Sequence, residues 1–206
     1  MILIIEHSST DFEFGTQRNY LLLQDESEIT TELLTKAEIV LLINPEFRQL
    51  IEVRHTRFRM KDVYVALNEN CPDDVRYYAE RYGYCLLSFS SANEAYFINS
   101  ILAVFHARIS FGADVNDFRK MMEGPGRVEY RHVMTPSLEE EIVQIKPARQ
   151  TTSILTTLFY NESYSFDAID RLSVKLKEHF STVNIVSVFT ESEDQPVSLG
   201  LFLAIE

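Results

Sequence analysis

Asp114 and Asp117 stand three residues apart in the stretch "ISFGADVNDFRKMM" (109–122), where the pattern begins a helix. Two carboxylates at that spacing admit two readings. An aspartate ahead of the first turn accepts one of the free helix amides, and a second acid inside that turn lies well with the helix dipole. The same pair could instead work as general acid and base on a ligand that the chain itself does not hold. That chemistry needs a basic or nucleophilic group close in space. Arg108 and Arg119 are close in sequence.

Other chemical signatures are missing. A nucleotide loop in an α/β fold relies on glycines, because backbone amides must reach phosphate oxygens without a side chain between them. The chain has six glycines, and its first 90 residues hold only Gly15 and Gly83. No GxGxxG, GxxxxGK[ST] or GxSxG motif occurs. His7, His55, His106, His132 and His179 are scattered without the spacing of metal ligands. Cys71 and Cys85 form no CxxC pair and read as reduced, half-buried thiols of a cytosolic protein. Glu139, Glu140 and Glu141 read as a solvated acidic face. The expectation is therefore no catalytic residue, no metal and no cofactor.

Charge narrows the partners. A formal charge of −12 on 206 residues argues against nucleic acid or an anionic membrane surface as the main partner. One segment runs the other way: "FRQLIEVRHTRFRMK" (47–61) sets Arg48, Arg54, Arg57, Arg59 and Lys61 against Glu52 alone. It is either a solvated basic face or a site for an anion or an acidic partner. The first residues lack a positive n-region, and no apolar run approaches the roughly 18 residues that cross a bilayer. A soluble, cytoplasmic protein is expected.

The elements that must position these residues fall into two rhythms. In the first half, residues 1–6, 20–24, 38–43, 62–68 and 84–90 are continuous apolar runs, which suit strands of a parallel sheet buried on both faces. Acids after a proline begin a helix at Asp73, and Gly83 ends it, giving a βαβ unit over 62–90. Residues 91–109 predict a helix of about 16 residues, roughly 24 Å long, with Ser91 and Glu94 as a capping box. Phe97, Ile98, Ile101, Leu102 and Phe105 form its apolar stripe. The second half then predicts a short helix after the acidic loop, a strand at 127–134, a helical turn near 139–145, a strand at 153–161 and a helix at 165–180. Residues 183–190 and 196–206 flank the acidic link "ESEDQ" and read as an antiparallel hairpin.

As an ordered set, these motifs resemble the bacterial tubulin homologue FtsZ, most clearly over residues 84 to 206. "SSANEAYFINSILAVFHARI" is similar to the family's central helix, and "FGADVNDFRKMM" to its synergy loop. That loop places an Asn, an Asp and a further Asp; Asp114 and Asp117 fall on the acidic positions, and Gly112 stands where the Asn would be. "TTLFYNESYSFDAIDRL" and "VNIVSVFTESEDQPVSLGLFLAIE" resemble the strand, helix and closing hairpin of the C-terminal domain. The resemblance implies an α/β fold: a short parallel Rossmann-like sheet, a long central helix, then an α+β C-terminal domain like that of FtsZ. It divides the chain at 1–90, 91–109 and 110–206. In the family the synergy loop enters the nucleotide pocket of the next subunit and helps position the hydrolytic water. The place of the family's glycine-rich signature here reads "NPEFRQLIEVRHTRFRM", without a glycine. The resemblance thus implies a non-catalytic protein that associates through Gly112, Asp114, Asn116 and Asp117, capping or modulating an FtsZ-type filament. A partner-binding or self-assembling module using the 48–61 segment, and a GTP-hydrolysing enzyme, are the alternatives.

Overall fold

The computed structural model describes residues 2–6, 20–23, 30–56, 62–105, 110–112, 115–123, 127–134, 137–146, 151–191 and 196–205. The chain forms two compact units, Met1–Ser91 and Ala92–Glu206.

In the first unit the apolar runs become strands β1 (Ile2–Glu6), β2 (Tyr20–Leu23), β3 (Ile39–Ile43), β4 (Val63–Leu67) and β5 (Cys85–Ser88). They lie in the order β2-β1-β3-β4-β5, and every pairing is parallel. Each residue of β3 and β4 is buried, which is why neither run alternates in sequence. Three helices connect the later strands: α1 (Thr31–Lys36), α2 (Phe47–Thr56) and α3 (Asp73–Arg81). The sequence reading did not anticipate α1, whose cap is Thr30; its hydroxyl accepts the Leu33 amide at 3.2 Å. Leu34, Leu50, Val53, Val75 and Ala79 from the three helices pack with Val40, Leu42, Val63 and Val65 as one core. Gly83 ends α3 at φ +71°, the left-handed conformation a helix stop requires.

The second unit is a three-layer α/β/α arrangement. Helix α4 (Glu94–Phe105) follows a 3-10 turn at Ser91–Asn93. The expected capping box is corrected here: Ser91 donates its hydroxyl to Glu69, and the α-helix opens only at Glu94. Residues 106–109 of the expected helix lie outside the described residues. Next come β6 (Ser110–Gly112), α5 (Val115–Glu123), β7 (Arg127–Val133), α6 (Leu138–Gln144), β8 (Thr151–Tyr160), α7 (Phe166–His179), β9 (Asn184–Glu191) and β10 (Ser198–Ile205). At 14 residues α7 is the longest helix described; Ser165 caps it, its hydroxyl accepting the Ala168 amide at 3.3 Å.

The strand order is β7-β10-β8-β9-β6, which overturns the expected closing hairpin. β9 runs parallel to β8, and β10 pairs antiparallel with β7 and β8, so β8 separates the two strands. The cause is α7: a helical crossover between β8 and β9 makes that pair parallel. β10 then fills the opposite side of β8, and seven of its eight residues are buried. Leu199, Leu201 and Leu203 meet Leu138, Ile142, Leu172 and Leu176 on the α6–α7 face. On the other face Phe202 sits among Phe97 of α4, Phe118 of α5 and Tyr130 of β7, with ring centroids 4.9–6.3 Å apart.

Candidate functional site at the C-terminal edge of the parallel sheet

In an open parallel sheet, ligands bind beyond the carboxyl ends of the strands, where successive connections leave in opposite directions. In the first unit the order places that reversal between β1 and β3. Beyond the ends of β3 and β4 lies a cleft of about 680 Å³, walled by Pro45, Phe47, Ile51 and Pro72 and edged by Glu46, Arg48 and Asp74. The first turns of α2 and α3 both face it.

The turn leaving β3 is built from Asn44, Pro45 and Glu46. Asn44 has φ +46°, a conformation asparagine tolerates better than most residues. It is held from two sides: its amide donates to the Ala66 carbonyl at 2.9 Å, and its Oδ1 accepts the Asn68 amide at 3.0 Å. Asn68 repeats the device after β4, its Oδ1 accepting the Asn70 amide at 2.9 Å, while Arg76 donates to the Asn68 carbonyl at 3.0 Å.

Three amides along this edge have side-chain partners within the chain. Gln49 Oε1 accepts the Glu46 amide at 2.8 Å, so the chain's own side chain occupies the start of α2. Asp74 Oδ1 accepts the Val75 amide at 2.9 Å at the start of α3. Glu69 accepts the Ser91 amide at 2.9 Å and the Ser91 hydroxyl at 2.7 Å. The bonds from Ser91 hold the Glu69 carboxyl below its ordinary value. A dinucleotide or phosphate loop leaves such donors open; here protein oxygens fill them.

The residues singled out from sequence spread over both units. Gly112 lies in β6, opposite Val188 of β9. Asn116 is exposed and Asp117 half-buried in the first turn of α5. Asp117 and Lys120 border a small cavity of about 100 Å³ with Ser153 and Leu155 of β8 and Asn184 of β9. Asp114 lies outside the described residues, as do Arg57, Arg59 and Lys61. Arg48 edges the cleft, whereas Arg54 lies over Tyr82, the residue that closes α3, its guanidinium 3.8 Å from the ring centre. Six residues apart on a helix, the two arginines leave on different faces.

Sequence reasoning missed Asn44, Gln49, Asn68, Glu69 and Asp74 as a set. The Asn-Pro step after an apolar run was a turn signal. The long-range partners had no local signature. It also missed a buried polar knot in the second unit: Thr157 donates to Ser100 at 2.7 Å, and Ser100 shares a hydrogen bond with Tyr130 at 2.9 Å. Beside it, His132 stacks on Tyr96 with ring centres 3.8 Å apart, and burial pushes its imidazole down to about 4. Among the described residues no group of three or more His, Cys, Asp or Glu could hold a metal, and no helix is long and apolar enough to cross a membrane.

No family model matches the chain, and no curated protein matches its sequence. Solved structures do match. An FtsZ dimer from M. jannaschii, described as empty, superposes with a TM-score of 0.65 at 9% identity, over 84% of this chain and 65% of that one. An FtsZ point mutant from M. jannaschii gives 0.63 at 9% identity, over 85% and 67%. GDP-bound monomeric CetZ1 from Haloferax volcanii gives 0.51 at 11% identity, over 83% and 65%. The chain spans about two thirds of the length of these structures. Its fold is FtsZ/tubulin-like.

Proposed function

We propose that this chain is a non-hydrolysing, FtsZ/tubulin-like protein that acts by association, capping or modulating an FtsZ-type filament through the loop that enters α5. The observation that supports it is the self-filled edge of the parallel sheet. Gln49, Asp74 and Glu69 occupy amides beyond the ends of β3, β4 and β5, the edge where an open parallel sheet takes its ligands. The turn after β3 also has no glycine to bring the backbone close. Meanwhile Asn116 and Asp117 stand in the first turn of α5, in the segment that resembles the synergy loop. A subunit with one competent face ends a head-to-tail filament, because growth needs two complementary patches.

The test mixes the protein with the FtsZ-type protein of its own cell and follows filament mass and GTP turnover. Shorter filaments at substoichiometric ratios, relieved by Asp117→Lys, are the expected result. Unchanged filaments at equimolar protein, with no complex by sedimentation, would refute the reading. Micromolar binding of a labelled guanine nucleotide to the isolated protein would favour the enzyme alternative instead.

A further inference from the structure

The outward side of α2 and α3 carries an aromatic ladder, whose middle ring, Tyr78, packs against the core while Phe47 and Tyr82 stay exposed. Phe47 meets Tyr78 edge-on with ring centres 4.9 Å apart, and Tyr78 meets Tyr82 at 4.4 Å. Tyr77, one stripe over on α3, is 60% exposed, and Tyr82 is 37% exposed. Each of these two rings is paired with an arginine. Arg54 lies over Tyr82 at 3.8 Å, and Arg81 donates to the Tyr77 hydroxyl at 2.8 Å.

The charge around these arginines is unusual for this chain. It has 31 acids against 19 Lys and Arg, and Arg131 and Arg171 each hold a glutamate. Arg54 and Arg81 are exposed, yet among the described residues neither has a carboxylate within 4.0 Å. Glu52 and Glu80 lie on the same two helices without pairing to them. A guanidinium held over or beside a tyrosine keeps N–H donors for a carboxylate, which arginine can bind with two prongs. Exposed tyrosines beside such arginines supply apolar contact at little entropic cost.

We infer that the α2–α3 face is a docking surface for a protein segment in which carboxylates alternate with apolar side chains. Arg54 and Arg81 take the carboxylates, and Phe47, Tyr77 and Tyr82 take the apolar groups. A nucleic acid is disfavoured because the net charge of −12 repels a polyanion and two arginines cannot offset it. This face belongs to the first unit and α5 to the second, and the two proposals rest on different residues, so each can fail without the other.

Fluorescence anisotropy would test it with three labelled probes: an alternating glutamate–leucine peptide, its lysine–leucine counterpart and a single-stranded oligonucleotide. The full chain is expected to bind the glutamate peptide saturably and at least about tenfold more tightly than either other probe. Arg54→Glu with Arg81→Glu should weaken that binding at least about tenfold, as should Tyr77→Ala with Tyr82→Ala, while Asp117→Asn leaves it unchanged. All four positions are exposed, and unchanged circular dichroism would show that the variants fold. Equal affinity for the oligonucleotide, no saturable binding of the glutamate peptide, or full binding by the arginine variant would overturn the inference.

Discussion

Asn44 and Asn68, 24 residues apart, close the ends of two parallel strands onto each other: Oδ1 of the first accepts the amide of the second at 3.0 Å. The bond fixes the turn in which Asn44 takes φ +46°. Asn44→Ala removes the acceptor and places a side chain poorly suited to that conformation. The expected loss is about 2 kcal/mol, combining one hydrogen bond with left-handed strain. Asn44→Gly should lose only about half as much, because glycine keeps the backbone conformation. Urea denaturation of the two variants measures the difference.

Gly200 is closely enclosed within the second unit. A Cβ there would lie 2.5 Å from Thr157 Oγ1 and 2.9 Å from the Tyr130 hydroxyl, and it would also press on Ser100 Oγ. All three side chains are buried and already hydrogen-bonded in a chain from Thr157 through Ser100 to Tyr130, so they cannot swing away. Gly200→Ala is expected to cost about 3 kcal/mol through overpacking and a broken polar knot. Gly83→Ala is the control: nothing lies within 4 Å, and only its φ of +71° resists a side chain. That variant should lose about 1 kcal/mol. A Gly83 variant less stable than the Gly200 variant would contradict this packing.

His132 gives the molecule an acid-sensitive point. Burial lowers its imidazole from the ordinary 6.5 to about 4. The unfolded chain therefore binds a proton that the folded chain refuses between those values. The contribution is intact above pH 6.5 and is lost progressively as pH falls toward about 4. His132→Phe preserves a ring against Tyr96 and should flatten this part of the stability–pH curve. Urea midpoints at about pH 7 and about pH 5 for both proteins would reveal it.

The two thiols offer a simpler check. Burial pushes both Cys71 and Cys85 above the ordinary thiol value, and neither is in a disulfide. Both should react with an aromatic disulfide reagent at neutral pH well below the rate of free cysteine, and rapidly after unfolding. Fast labelling of the native protein would show that these sites are more open than the packing implies.

The sequence determined the parts of the fold that rest on local signals. Unbroken apolar runs at 39–43 and 63–67 marked strands covered on both faces, because a half-exposed strand would have alternated. Gly83 marked a helix end by the backbone chemistry of a stop. The absence of glycine after β3 was legible in the same way. Only the tertiary structure decided how β9 and β10 pair, since both sides of β8 must be hydrogen-bonded and neighbours in sequence have no prior claim on each other. It also decided what Glu69 does, because its partner Ser91 lies 22 residues further on. Glu69 in the sequence is an acid of unknown purpose; it becomes the partner of the Ser91 amide when the ends of β4 and β5 bring the two within 2.9 Å.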